Sequence, residues 1–193
     1  RVANHQPLPD EHSLAVISDD LRIRYQTEVF SIATSCTSSA QAIGYAYKML
    51  KANMYEKVLV VGFEMFNRLT FEHFQSMNLL SQADEYQPFA NPTGIVLGEG
   101  VGCIALSTQP NLTFSCEIFG ITTITDNENL TNSSEIALRQ LLADCLANTH
   151  LNTRDVQAIK VHGVGSNSDM MEQQVLDELF PHAKRLLIKP YMG

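Results

Sequence analysis

The chain lacks several things that would narrow its function at once: a Cys-x-x-Cys pair, a Lys/Arg cluster, a long apolar run, closely spaced histidines and tryptophan. Without the cysteine pair, neither a zinc knuckle nor a thioredoxin-type redox site is expected, and the wide spacing of Cys36, Cys103, Cys116 and Cys145 argues against a disulfide framework. A reducing cytoplasm is the expected compartment. The formal charge of −8, from 13 basic and 21 acidic side chains, argues against nucleic acid or an anionic membrane as partner. An acidic carrier protein would need a local basic patch. No apolar run, Val58-Leu59-Val60-Val61 included, approaches a bilayer span, and no signal-peptide pattern follows Arg1. No histidine stands three or four positions from another, so no metal site is expected. Asn111-Leu112-Thr113, Asn129-Leu130-Thr131 and Asn132-Ser133-Ser134 match the glycosylation triplet, which matters only in a secreted chain. The missing tryptophan leaves the core intact, since 45% of 193 residues are hydrophobic, enough for one globular domain.

What is present is an alternation of strand and helix signals. Glu28 to Ala33 reads as a strand, and Ser38 to Lys51 as a helix with Ile43, Tyr47 and Leu50 on one face and Lys48 and Lys51 at its C-terminal end. Val58 to Val61 has the pattern of a strand buried on both faces, and Phe66 to Leu80 returns to helical spacing. Strands are expected over Cys103 to Leu106 and, after the Pro110-Asn111 turn, over Phe114 to Ile124. Gly98-Glu99-Gly100-Val101-Gly102 precedes a strand instead of opening a helix, so close backbone packing fits these glycines better than a phosphate-binding loop. Beyond the polar connector Asp126 to Asn129, the spacing gives a helix over Ser134 to Leu146, a strand over Val156 to Val161 and a loop over His162 to Ser168. A helix over Asp169 to Leu179 and a last strand at Leu186 to Ile188 complete an α/β pattern with helices flanking a mixed sheet.

Cys36 lies where an extended segment turns into a helix. Amides at a helix start are unpaired and carry the positive end of the dipole, which favours a thiolate. A free cysteine beside an apolar strand can equally be an inert packing residue. Three strand ends deliver Cys36, His162 and Lys189, and functional groups in α/β folds collect at such ends. His162 could instead be a loop histidine bonded to backbone, and Lys189 an exposed strand-end lysine. Asp169 with Glu172 three residues later fits a helix-capping arrangement.

Six segments in order resemble the β-ketoacyl-ACP synthases: Ser35 to Ala40 with Ala42-Ile43-Gly44, Val60 to Glu64, Pro88-Phe89, Gly94 to Gly102, His162 to Ser166 and Lys189 to Gly193. The resemblance spans most of the chain from about residue 20 onward. It implies a thiolase-like layered α/β/α/β/α fold, here expected to be incomplete at both ends. Residues 1–193 would form one ketosynthase-like domain, with about 1–108 from the N-terminal half and about 112–193 from the C-terminal half.

The implied reaction is a decarboxylating Claisen condensation of acyl and malonyl thioesters, with no cofactor beyond the phosphopantetheine of the acyl-carrier protein that carries the substrates. By resemblance Cys36 accepts the acyl group while its N–H helps hold the oxyanion, His162 stabilises the enolate, and Lys189 charges and orients the pocket. Asp169 and Glu172 match the family's acidic pair. The family's Thr-Gly-Thr becomes Val164-Gly165-Ser166, which removes a hydroxyl expected to bond the pantetheine arm at Val164 and leaves one at Ser166. After Pro88-Phe89 the family's acidic and basic positions are replaced, so a structural salt bridge is expected to be lost. A second catalytic histidine would follow Gly193 at once in the family. Only 35 residues precede Cys36, fewer than the family's first half uses.

These departures leave three readings. One is a chain-length-factor-like partner in a heterodimer with a full-length ketosynthase, another an active condensing enzyme using Cys36, possible as a homodimer, and the third an unrelated cysteine hydrolase, which would need an Asp or Asn orienting His162. In this family the strand before the cysteine pairs across the dimer interface.

Overall fold

A core of Val161, Leu176, Phe180 and Ala183 anchors the larger part of the molecule, with Phe89, Leu142, Leu146, Val156, Ile159, Leu179 and Leu187 packed against it. The computed structural model describes residues 15–109, 116–126 and 134–193. Helix α1 spans Ala15–Tyr25, α2 Ser38–Lys51, strand β1 Lys57–Glu64, α3 Arg68–Ser76 and β2 Gly100–Ser107. Helix α4 follows at Glu135–Thr149, then β3 at Ala158–Lys160, α5 at Ser168–Leu179, β4 at Lys184–Leu186 and the single turn α6 at Lys189–Met192. The chain is mixed α/β, with β1 paired to β2 and β3 paired to β4.

Two compact units share these elements. Residues 1–60 and 104–108 form the first, and residues 61–103 and 109–193 the second. In the first unit, α2 buries Gly44, Ala46 and Leu50, with Ile43 and Tyr47 half-buried beside them. This matches the helical face expected from the sequence. Its end is set by Asn53, whose left-handed φ of 55° follows the capping bond from the Ala52 amide to the Lys48 carbonyl, 2.9 Å.

In the second unit, Asn67 caps α3 by accepting from the Thr70 amide at 3.1 Å, and Ser134 caps α4 by accepting from Ala137 at 3.1 Å. Val175 and Phe180 on and after α5 are completely or almost completely buried. Each contributes roughly 1.5–3 kcal/mol by leaving water. Strands β3 and β4 run parallel, Ala158 facing Lys184, Ile159 facing Arg185 and Lys160 facing Leu186. Arg139 on α4 reaches Glu178 on α5 across the helix pair.

Several sequence expectations fail for physical reasons. Residues 28–33 form no strand; the Val29 carbonyl accepts from the Arg22 guanidinium at 2.9 Å, and the Glu28 side chain accepts from Tyr55. Strand β1 is covered on one face only, with Val60 buried while Leu59, Val61 and Phe63 remain exposed. A continuous apolar run cannot tell one covered face from two. Residues 116–126 carry no strand, and Phe114, Ser115, the Pro110-Asn111 turn and Asn127 to Asn129 lie outside the described residues. The last strand begins two residues earlier than expected, at Lys184. Gly98 does meet backbone closely, but a Cβ on Gly100 or Gly102 would meet nothing within 4 Å.

Candidate functional site

In the first unit, Cys36 is exposed at the turn into α2, one residue before the N-cap Thr37. Ser35 before it has φ 54°, a left-handed conformation that costs a non-glycine residue about 1 kcal/mol. Neighbouring hydroxyls hold this bend. Ser38 Oγ accepts from the Thr34 amide at 2.8 Å and donates to the Ser35 carbonyl at 2.6 Å, while Thr37 Oγ1 donates to the Thr34 carbonyl at 2.9 Å. The Thr37 side chain therefore turns back onto the bend and does not cap the helix. The Thr-Ser-Cys-Thr-Ser sequence thus builds its own elbow and presents the thiol to solvent at its apex.

The second unit gathers His162, Lys189, Val164 and Ser166. Parallel β3 leads through Val161 to His162, and its neighbour β4 leads through Leu187 and Ile188 to Lys189. Both residues therefore leave the same end of adjacent strands, where open α/β sheets place their ligands. The Val161 amide continues the pairing, donating to the Leu186 carbonyl at 3.2 Å. His162 is exposed, yet the groups massed on its inner side and the Lys189 ammonium hold its pKa below the ordinary imidazole value, with Lys160 adding to the effect and Glu172 and Asp169 opposing it. A neutral imidazole donates through one nitrogen and accepts through the other.

Asp169 is the residue whose role the sequence misjudged. It is not a helix cap: its carboxylate, 1% exposed, accepts from the Phe89 amide at 3.1 Å, Val164 at 3.1 Å and Gly165 at 2.9 Å. Glu172 accepts from the His162 amide at 2.7 Å and from Gly163 at 3.0 Å. Five backbone donors, four of them in the histidine loop, thus converge on two carboxylates one helical turn apart. An Asp-x-x-Glu pair at a helix start looks identical from sequence whether it caps its own helix or clamps a distant loop.

Phe89 closes the clamp from the other side. It has φ 68°, and its ring lies where a Gly163 side chain would go, a Cβ there falling 2.5 Å from the ring edge. Gly163 and Gly165 both have positive φ, and Gly165 accepts from the Gly94 amide at 2.9 Å. After Pro88, Phe89 is held by this packing and by the bond from its amide to Asp169. Ser166 Oγ accepts from the Ser168 amide at 3.3 Å at the start of α5, and Val164 offers no hydroxyl. Among the described residues no group of His, Cys, Asp and Glu is arranged to hold a metal, and no helix is long and apolar enough to cross a membrane.

Comparison with known proteins identifies the family. Residues 17–111 match the family described as Beta-ketoacyl synthase, N-terminal domain, and residues 115–191 match Beta-ketoacyl synthase, C-terminal domain. Nodulation protein E of Rhizobium sp. (strain N33) is 29% identical over 83% of this chain and 42% of its own length. The 3-oxoacyl-[acyl-carrier-protein] synthase 2 of Coxiella burnetii is 26% identical over 82% of this chain and 42% of its own. Among solved structures, a beta-ketoacyl synthase from Burkholderia phymatum superposes with a TM-score of 0.81 at 21% identity, covering 91% of this chain and 47% of that one. The ketosynthase ApeO in complex with its chain length factor ApeC, from Xenorhabdus doucetiae, gives 0.73 at 22% identity, over 93% and 47%. The chain thus spans less than half the length of these relatives. On the two family matches, which together cover most of its residues, the chain belongs to the beta-ketoacyl synthase family.

Proposed function

We propose that this chain works in the decarboxylating Claisen condensation of acyl and malonyl thioesters carried on acyl-carrier protein, as a chain-length-factor-like subunit beside a full-length ketosynthase. The observation that carries the dimeric part is uncovered apolar surface. Leu59, Val61 and Phe63 of β1, Val101 of β2, and Phe66 and Leu69 near α3 are all exposed, with Leu69 and Val101 above 70%. Faces of this kind mark sites of further contact, which in this reading the partner subunit supplies. The ApeO–ApeC pair and the ishigamide ketosynthase/chain length factor have a fold similar to this one, which is compatible with such a pairing. In this reading, residues up to about 108 and from about 112 belong to the two halves of a layered thiolase-like fold, and Glu28 to Ile32 is the segment that pairs across the dimer.

A second reading is favoured by the elbow and the histidine loop: catalysis by the chain itself. Here the Cys36 thiolate attacks the acyl thioester, forming a new C–S bond and releasing the phosphopantetheine thiol. Decarboxylation of malonyl thioester then leaves an enolate, whose oxygen His162 hydrogen-bonds with Lys189 adding positive potential. The enolate carbon attacks the acyl–Cys36 carbonyl and Cys36 leaves as thiolate. Val164 makes a hydrophobic wall to the pantetheine arm and Ser166 offers it a hydroxyl proton.

One experiment separates the two. The purified chain is incubated with acyl- and malonyl-acyl-carrier protein, alone and with a full-length ketosynthase. The subunit reading expects no elongation alone; robust elongation by the chain alone would overturn it and favour the second. Intact mass then reads whether Cys36 is acylated, an adduct that Cys36→Ala abolishes.

A further inference from the structure

Gly98 stands just before β2, outside the residues so far given a role, yet it makes the closest backbone contact of any described glycine. A Cβ built there would lie 1.8 Å from the Met192 carbonyl oxygen, 2.9 Å from its carbon and 3.1 Å from Gly193 Cα. The contact is reciprocal, since a Cβ on Gly193 would lie 2.7 Å from the Gly98 nitrogen and 2.8 Å from its Cα. Backbone meets backbone, so no side chain can rotate away to make room. Gly98 does not have the positive φ that would by itself demand glycine. Only the contact forbids a side chain.

The seam abuts one end of α6, a single turn with Lys189 at its other end. Gly193 donates to the Lys189 carbonyl at 2.8 Å and Tyr191 to that of Ile188 at 3.0 Å, so backbone bonds tie the seam end of the turn to its lysine end. We propose that Gly98 is a positioning residue, whose missing side chain lets the Lys189–Gly193 turn seat against the segment before β2 and thereby fixes where the Lys189 ammonium stands relative to His162. The charges that act on His162 come from Lys189 after β4, Lys160 on β3, and Asp169 and Glu172 on α5. Of the elements bearing them, α6 is the one seated on Gly98. Displacing it removes a cation's influence and lets the imidazole titrate at higher pH.

The inference rests on the condensing-enzyme reading only for what His162 does, and its test does not depend on condensation. Histidine-labelled full chain is titrated by NMR, with the His162 resonance assigned through His162→Gln. In Gly98→Ala the His162 midpoint is expected to move upward, in the direction of Lys189→Met, while Gly100→Ala and Gly102→Ala, whose side chains meet nothing, leave it in place. The Gly98→Ala/Lys189→Met double variant is expected to go no higher than Lys189→Met alone, the coupling that separates a displaced lysine from general loosening. Should Gly98→Ala not fold, Gly193→Ala presses on the same seam from the other side. A folded Gly98→Ala or Gly193→Ala with the wild-type midpoint, or effects that add in the double variant, would overturn the proposal. Absence of an acyl adduct on Cys36 would instead sink the catalytic reading and leave this one standing.

Discussion

The cysteine elbow and the histidine loop are both tight, strained turns, but they are held by opposite means. The hydrogen bonds around Cys36 join residues three or four apart, through the hydroxyls of Thr34 and Thr37, which are exposed, and of Ser38, which is half-buried. Around His162 the clamps are carboxylates on α5, one of them almost wholly buried, and one bond reaches back 80 residues to Phe89. A locally built elbow keeps its shape whatever surrounds it; a loop clamped from afar depends on the unit that carries it. The cysteine's geometry is thus a property of five residues, and the histidine's a property of the whole second unit.

The strongest way to break this contrast is to remove the distant clamp. Asp169→Ala leaves the Phe89, Val164 and Gly165 amides without their acceptor in a buried place, at about 1–3 kcal/mol for each that finds no substitute. The expected loss is several kcal/mol in urea unfolding, with Asp169→Asn, which keeps one acceptor oxygen, falling between. Hydrogen exchange should quicken at Val164, Gly165 and Phe89 and stay unchanged at residues 34–38. Faster exchange at the cysteine elbow would show that the two turns are not independent.

Removing a local clamp should do less. Ser38→Ala deletes both the bond from Thr34 and the bond to the Ser35 carbonyl, yet both groups are exposed and water can replace them. The expected cost is about 1 kcal/mol. Its sharper signature is chemical: the rate of Cys36 alkylation should change because the bend that presents the thiol loosens, whereas Asp169→Asn should leave that rate alone. An equal change in both variants would erase the distinction.

The same contrast explains what the sequence could tell. Helix α2 was legible to the residue because its apolar spacing and lysine-rich end are local signals, and the strand ends bearing His162 and Lys189 were legible because β3 and β4 alternate with helices. Asp169 was seen and misassigned, since a helix-start aspartate has the same local signature whether it bonds its own helix or a loop 80 residues away. The exposed face of β1 was missed for a related reason: a continuous apolar run records hydrophobicity and not which of its faces is covered. The glycines before β2 divide likewise, Gly98 packed against backbone and Gly100 and Gly102 open, a difference set by residues some 90 positions further along the chain.

The smallest expected effect probes the strain itself. Ser35 holds φ 54° without being glycine, and the hydrogen bonds at Ser35 run to its carbonyl, from the Ser38 amide at 3.1 Å and the Ser38 hydroxyl at 2.6 Å. Ser35→Gly keeps that carbonyl and relieves the left-handed penalty, while the more flexible unfolded chain takes back part of the gain. The net change is expected to lie within about 0.5 kcal/mol of zero. Ser35→Val, β-branched and poorly suited to this conformation, should cost about 1–2 kcal/mol at the same position. The pair therefore separates backbone strain from side-chain bonding. If glycine and valine are equally harmless by urea unfolding, the elbow does not hold Ser35 left-handed in solution, and the claim that five residues build it by themselves fails.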